Sequence, residues 1–266
     1  MLLEREDVNP NHIDTEYGQT PLGWAAKNRH EGVVEMLLER EDVNPDQADA
    51  EFGRTPLSWA AGNGQNRIVR MLLRRGDVNP DHIDTKFGQT PLGWAAANGY
   101  EGVVKMLLER KDLNPDHVDT EYGQTPLSWA AEKGHEKVVK MLLEREDVNP
   151  NLVDTRNGQT PLGWAAKNRH EGVVKMLLER EHVNPDHVDK QGRTPLSWVA
   201  GNGHEGVVKM LLERGGVNPN QPDKYGKTPL WWADQNGHEA VVKMLPKQKD
   251  ACTTTTNMNH TTIVGL

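Results

Sequence analysis

The sequence predicts an all-α repeat solenoid, built of helix-turn-helix units joined by extended finger loops. Three observations carry that prediction. The tripeptide Thr-Pro-Leu begins at Thr20, Thr55, Thr90, Thr125, Thr160, Thr194 and Thr228, at steps of 35, 35, 35, 35, 34 and 34 residues. A fixed period of this length marks a stack of small similar units rather than one core. A tryptophan stands four residues after each threonine (Trp24, Trp59, Trp94, Trp129, Trp164, Trp198 and Trp232), which with Trp231 accounts for eight Trp against two Phe. Hydrophobic residues make up 35% of the 266, low for a compact globule but suited to a thin stack with much surface.

The third unit shows the elements in order. Thr90 can cap a helix through its hydroxyl, and Pro91 suits the first helical position. Leu92, Ala95 and Ala96 lie at i, i+3 and i+4 and form a buried stripe, the alanines allowing another helix to approach closely. Asn98-Gly99 closes this helix, with the glycine in the left-handed conformation. A second helix is expected from about Glu101 to Arg110, apolar over most of its girth through Val103, Val104, Met106, Leu107 and Leu108. Its remaining face carries Glu101, Lys105 and Glu109. The segment from Asp112 to Gly123 is rich in turn formers and reads as a finger with a tight tip. One helix pair cannot bury its apolar faces alone, so stacking on copies of itself is required.

These residues resemble the ankyrin repeat. Its usual unit reads D-x-x-G-x-T-P-L-H-x-A-A, then G-H, V-V-x-x-L-L and V-N. The sixth unit matches through Asp189, Gly192, Thr194, Ala200, Gly203, His204, Val207, Val208, Leu211, Leu212, Val217 and Asn218. The resemblance covers about nine-tenths of the chain and implies a protein-binding scaffold without catalytic activity. It also implies that the family histidine linking neighbouring units is lost or replaced, because Gly23, Ser58, Gly93, Ser128, Gly163, Ser197 and Trp231 occupy its position. The finger wording, TPLSWAA with DVNPD, is similar to the ankyrin arrays of fungal NTPase-type (NACHT-like) immune or incompatibility receptors, although the chain carries no nucleotide-binding motif.

Seven units of 34–35 residues are expected over 9–245. Residues 1–8 read as the end of a truncated preceding repeat, because Met1 to Pro10 copies Met141 to Pro150, and a fragment or an internal start is suspected. From Pro246 to Leu266, with four threonines in a row, a disordered tail is expected.

Composition narrows the function. The formal charge of −8 supplies no overall basic field for nucleic acid or an anionic membrane. No apolar run approaches the roughly 18–20 residues of a membrane span, and the first residues lack a signal-peptide pattern. A monomeric cytoplasmic (intracellular) protein is expected. The single cysteine, Cys252, excludes an internal disulfide. No nucleophile elbow, phosphate loop or zinc spacing is present, so no catalytic residue, metal or cofactor is assigned. His82, His117 and His187 stand among aspartates, but equivalent positions on adjacent units lie roughly 10 Å apart, too far to share an ion, and the side chains read as turn stabilisers. Arg67, Arg70 and Arg74 fall on one side of a second helix and read as a solvated face, with an acidic-partner patch as the alternative. Arg29 and Arg169 replace the helix-closing glycine and should be strained if the left-handed geometry is kept.

The candidate binding surface combines four sets of residues. The fingertips are Glu16, Tyr17, Glu51, Phe52, Lys86, Phe87, Glu121, Tyr122, Arg156, Asn157, Gln191 and Tyr225. Just before the threonines stand Gln19, Arg54, Gln89, Gln124, Gln159, Arg193 and Lys227. The Trp line is Trp24, Trp59, Trp94, Trp129, Trp164, Trp198, Trp231 and Trp232. After the double alanine come Lys27, Ala97, Glu132 and Lys167. Variation among units concentrates at such places while stacking positions hardly change, as a recognition surface requires. The expected ligand is a protein or peptide on the concave face. The alternatives are a regulatory segment acting within a larger NTPase-type receptor, and small-molecule or carbohydrate capture on the Trp line. Two readings of that line stand: a ladder exposed for binding, or rings packed under the next finger and between first helices. Seven fully exposed Trp would be an aggregation hazard, which favours packing.

Overall fold

The computed structural model describes residues 8–246. Among them lie fourteen helices in seven pairs and no strand: α1 (Pro21–Lys27) and α2 (Glu31–Leu38), α3 (Pro56–Gly62) and α4 (Asn66–Leu73), α5 (Pro91–Ala97) and α6 (Glu101–Leu108), α7 (Pro126–Lys133) and α8 (Glu136–Leu143), α9 (Pro161–Lys167) and α10 (Glu171–Leu178), α11 (Pro195–Gly201) and α12 (Glu205–Glu213), α13 (Pro229–Gln235) and α14 (Glu239–Met244). Residues 1–7 and the tail after Pro246 lie outside the described residues, and so do the readings made for them.

Each first helix starts as the sequence dictates. The threonine hydroxyl accepts the N–H three residues on, as Thr125 does from Ser128 at 3.1 Å, and proline opens the helix. One or two residues past the helix the backbone takes positive φ, at Gly64, Gly99, Gly134, Gly203 and Gly237, and also at Arg29 (63°) and Arg169 (62°), as the strain argument anticipates. The next N–H then returns to the helix, His135 to the carbonyl of Ala130 at 2.9 Å. Second helices end at Leu108 and its equivalents in five units, about two residues earlier than the pattern suggests, because Glu109 and Arg110 already close the turn.

First helices pack on first helices and second on second, giving two layers along the stack. The core between them is fully buried leucine, valine and alanine: Leu92, Ala95, Ala96, Val103, Val104 and Leu107 all have zero exposure in the third unit. Burying a Leu or Val contributes roughly 1.5–3 kcal/mol, and the same set recurs along the array. Consecutive fingers are joined by one backbone hydrogen bond each, from Ala50 to Tyr17 (2.9 Å), Thr85 to Phe52 (3.0 Å), Thr120 to Phe87 (3.1 Å), Arg156 to Tyr122 (3.3 Å), Lys190 to Asn157 (2.8 Å) and Lys224 to Gln191 (3.0 Å). At the tip Gly53 has φ 70°, and a Cβ there would lie 2.7 Å from the backbone nitrogen of Thr85, so glycine is required twice over.

Candidate functional site

The finger and the first helix of a unit are tied by an aspartate. Asp14 follows the finger's first limb and accepts backbone N–H groups from Glu16, Tyr17 and Gln19, closing the tip. The same carboxylate accepts the indole N–H of Trp24 at 3.0 Å. That bond recurs in all seven units: Trp59 to Asp49 (2.8 Å), Trp94 to Asp84 (2.7 Å), Trp129 to Asp119 (3.0 Å), Trp164 to Asp154 (3.2 Å), Trp198 to Asp189 (2.8 Å) and Trp232 to Asp223 (3.0 Å). The Tyr17 N–H, followed by those of Gln19, Trp24 and Glu16, holds the Asp14 carboxyl below the usual range against the opposing effect of desolvation. Fingertip aromatics stand edge-on to the indoles of their own units, with centroids 5.3–5.6 Å apart for Tyr17, Phe52, Phe87 and Tyr122.

The Trp line is therefore half-buried. Trp59 is 9% exposed, and the other six aligned tryptophans are partly exposed. Each indole is tied to the finger of its own unit through its aspartate bond. The indole N–H is fixed while most of the row stays partly exposed.

Basic side chains fill spaces between successive indoles. Lys27 Nζ lies 5.1 Å from the Trp24 centroid and 4.4 Å from that of Trp59. Arg54 lies 4.6 Å from Trp59 and 3.9 Å from Trp94. Lys167 spans Trp164 (5.0 Å) and Trp198 (4.4 Å), and Arg193 spans Trp198 (4.6 Å) and Trp232 (3.7 Å). Arg54 and Arg193 also reach the finger aspartates of the next units, Asp84 at 3.8 Å and Asp223 at 3.6 Å. Burial pulls the Arg54 guanidinium below its ordinary value, opposed by Asp84 and Asp49.

Several expected contact residues lie elsewhere. Gln19, Gln89, Gln124 and Gln159 are 1–5% exposed, so they face inward and not toward a partner. In three of those units glycine makes the room, since a Cβ at Gly23, Gly93 or Gly163 would collide with the glutamine amide. Gln159 also bonds the next unit's Asp189 at 3.0 Å. Where serine replaces that glycine, its hydroxyl bonds the capping threonine, as between Thr55 and Ser58 at 3.0 Å. Arg54 and Arg193, expected at the surface, are mostly covered between indoles. Glu16, Glu51, Lys86, Glu121, Arg156, Gln191 and Tyr225 are exposed, and Tyr17, Phe52, Phe87, Tyr122, Asn157 and Lys227 are partly so. Lys27, Ala97, Glu132 and Lys167 border the Trp row, and Trp231 stacks edge-on to Trp232 at 4.8 Å. Lys227 lies over Trp231 at 4.2 Å.

The histidines act as links between units. His82, His117 and His187 meet the carbonyls of Gly53, Gly88 and Gly158 at 2.8–3.0 Å, and His135, His170 and His238 meet those of Ala97, Glu132 and Gly201 at 2.9–3.1 Å. Among the described residues no group of three or more His, Cys, Asp or Glu is placed to hold a metal ion. Arg67 pairs with Glu31 at 3.1 Å, while Arg70 and Arg74 are exposed. No helix among the described residues is long and apolar enough to cross a membrane. Sequence reasoning missed the Trp–Asp bond, although an aspartate stands nine or ten residues before every tryptophan of the line. It also missed an exposed row on the fingers, Ile13, Ile83, Val118, Val153 and Val188, at 38–48% exposure.

Repeated helix pairs, fingers tied edge to edge and a surface of fixed aromatics with variable neighbours define a helical-repeat solenoid. The chain belongs to the ankyrin-repeat family: the family model for ankyrin repeats in three copies matches residues 41–119, 111–186 and 172–257, and that for a single ankyrin repeat matches 17–50. The family's repeats generally mediate protein–protein interaction, and the fold is typically a non-enzymatic scaffold. Among solved structures, the ankyrin-repeat domain of Bcl-3, a member of the IkappaB family, is similar with a TM-score of 0.73 and 24% identity, covering 85% of this chain and 100% of that one. No curated protein sequence matches the chain.

Proposed function

We propose that this array binds a protein or peptide on the face formed by the fingertips, the partly exposed Trp row and the residues after the double alanine. The observation that carries the reading is the contrast between fixed and variable positions. The Asp–Trp bond holds one indole per unit in one geometry, while the position three residues after each Trp changes from Lys27 through Gly62, Ala97, Glu132, Lys167 and Gly201 to Gln235. A rigid aromatic row lined with differing charges and sizes offers anchors at low entropic cost and specificity between them. The finer likeness to arrays of fungal NTPase-type receptors rests on finger wording alone and adds only the idea that the face senses a ligand for a larger receptor.

The test uses two quadruple variants of the full chain. Glu51, Lys86, Glu121 and Arg156 are exposed fingertips, whereas Lys105, Lys140, Glu144 and Lys175 are exposed on or just after the second helices. Replacing the first set by serine should abolish recovery of proteins captured by the native array, with an unchanged circular-dichroism melt. Replacing the second set should not. Loss of capture with the second set alone would refute the assignment of the face.

A further inference from the structure

We propose that the gap between Trp129 and Trp164 is a pocket for the ammonium group of a lysine side chain on a partner peptide. This deepens the binding role proposed above and rests on it. The chain's other gaps show what fits between two of its indoles. Six gaps separate the seven aligned indoles, and Lys27, Arg54, Lys167 and Arg193 each fill one with a cation lying over both flanking rings. Indole faces attract such cations through the ring quadrupole, more strongly when the site is desolvated. The chain thus displays the chemistry that fits between two of its own tryptophans.

The Trp94–Trp129 and Trp129–Trp164 gaps have no cation lying over both flanking rings among the described residues; Lys133 Nζ lies over Trp129 alone, at 5.6 Å. The first carries the uncharged Ala97 at the position of Lys27 and Lys167. The second differs. Glu132 stands at the position that Lys27 and Lys167 occupy in their units, so the charge is inverted where the chain elsewhere supplies its own ammonium. A cavity of about 350 Å³ opens there, lined among others by Tyr122, Trp129, Glu132, Lys133, Arg156 and Trp164. The inner position is taken by buried Gln124, whose amide donates to Glu132 Oε2 at 2.6 Å and orients the carboxylate. What remains open is the outer position, the one filled by lysine in the first and fifth units. A lysine entering from a partner would place its ammonium about 4–5 Å from both rings, as Lys27 and Lys167 do, beside the Glu132 carboxylate.

Two basic groups border the pocket. Lys133 Nζ pairs with Glu132 Oε1 at 3.1 Å, and Arg156 lies over Tyr122 at 5.3 Å. The Lys133 side chain is 46% exposed, and an ion pair of that exposure is weak enough for an incoming ammonium to replace. The same two groups make a carboxylate the rival occupant, which the experiment must separate.

The experiment follows the indole N–H signals of the full chain by NMR during titration with Nα-acetyl-lysine methylamide. The expected result is a saturable shift, with a Kd on the order of millimolar, at Trp129 and Trp164 but not at Trp59 and Trp94, whose gap Arg54 fills. Glu132→Lys supplies an internal ammonium as at Lys27 and should abolish the shift, while Glu132→Gln keeps the shape and should weaken binding ~3-fold or more. Absence of a saturable shift at these two rings, an equal response to the Nε-acetylated probe, tighter binding of glutarate, or an unchanged response in both variants would each overturn the proposal. Because the probe is not the partner, such a failure leaves the fingertip capture experiment to decide the wider reading independently.

Discussion

In most fingers, the residue after Asn-Pro accepts the backbone N–H of an asparagine in the following unit. Asn11 accepts from Asn44 at 2.7 Å, Asp81 from Asn114 at 2.8 Å and Asn151 from Asn184 at 2.9 Å. The asparagines go further, their amides donating to the carbonyls of Asp42 and His182 at 2.6 and 2.7 Å. The aspartates cannot donate, and Oδ1 of Asp46, Asp81, Asp116 and Asp186 is buried without a partner. Burial, opposed by the Asn114 N–H, pushes the Asp81 carboxyl up. A raised folded-state value means that the protonated form stabilises the fold, and that this contribution is lost as pH rises through it. Asp81→Asn should therefore raise stability at pH 7 by about 1 kcal/mol, the worth of one added hydrogen bond, and by less near pH 4. Urea unfolding at both pH values checks the size and the sign. Arg169 offers a second case. Its φ of 62° is a glycine conformation, so Arg169→Gly should stabilise by about 1 kcal/mol, read as a higher unfolding midpoint. His204, whose value is lowered by burial first and by Arg169 as a lesser cause, should then titrate higher in an NMR pH series.

The unit is an element with two closures, the threonine cap and the Asp–Trp bond. Thr125→Ala removes the acceptor for the Ser128 N–H and should cost about 1 kcal/mol. Trp94→Phe keeps the ring contact with Phe87 but withdraws a donor from buried Asp84, and should cost about 1–3 kcal/mol. Thermal melts of the two variants check both. The cap was legible in sequence because Thr-Pro has one strong local meaning. So were the left-handed closures and the alanine stripe, which depend on neighbours within one turn. The Trp–Asp bond was not, because hydrogen bonding across ten residues depends on how the finger folds back. For the same reason Gln19 and Gln89 read as surface side chains: only the packed structure reveals that Gly23 and Gly93 leave space for their amides.

At the scale of the molecule, the repeat period alone located the seven helix pairs, since a unit that cannot bury itself must stack. The site was half legible. Position in the unit suggested a candidate face, but which side chains remain accessible depends on contacts between units, such as Arg54 drawn between Trp59 and Trp94. The half-buried row should give Trp emission shifted to the blue, with only partial quenching by iodide. The central claim is that a partner docks on the fingertip and Trp face. Site-specific photocrosslinking tests it most directly, with the reactive residue placed either at exposed Glu121 on a finger or at exposed Lys140 on the second helix of the same unit. The account predicts a discrete protein adduct at position 121, suppressed by excess unlabelled array, and none at 140. An adduct at 140 with none at 121 would contradict it.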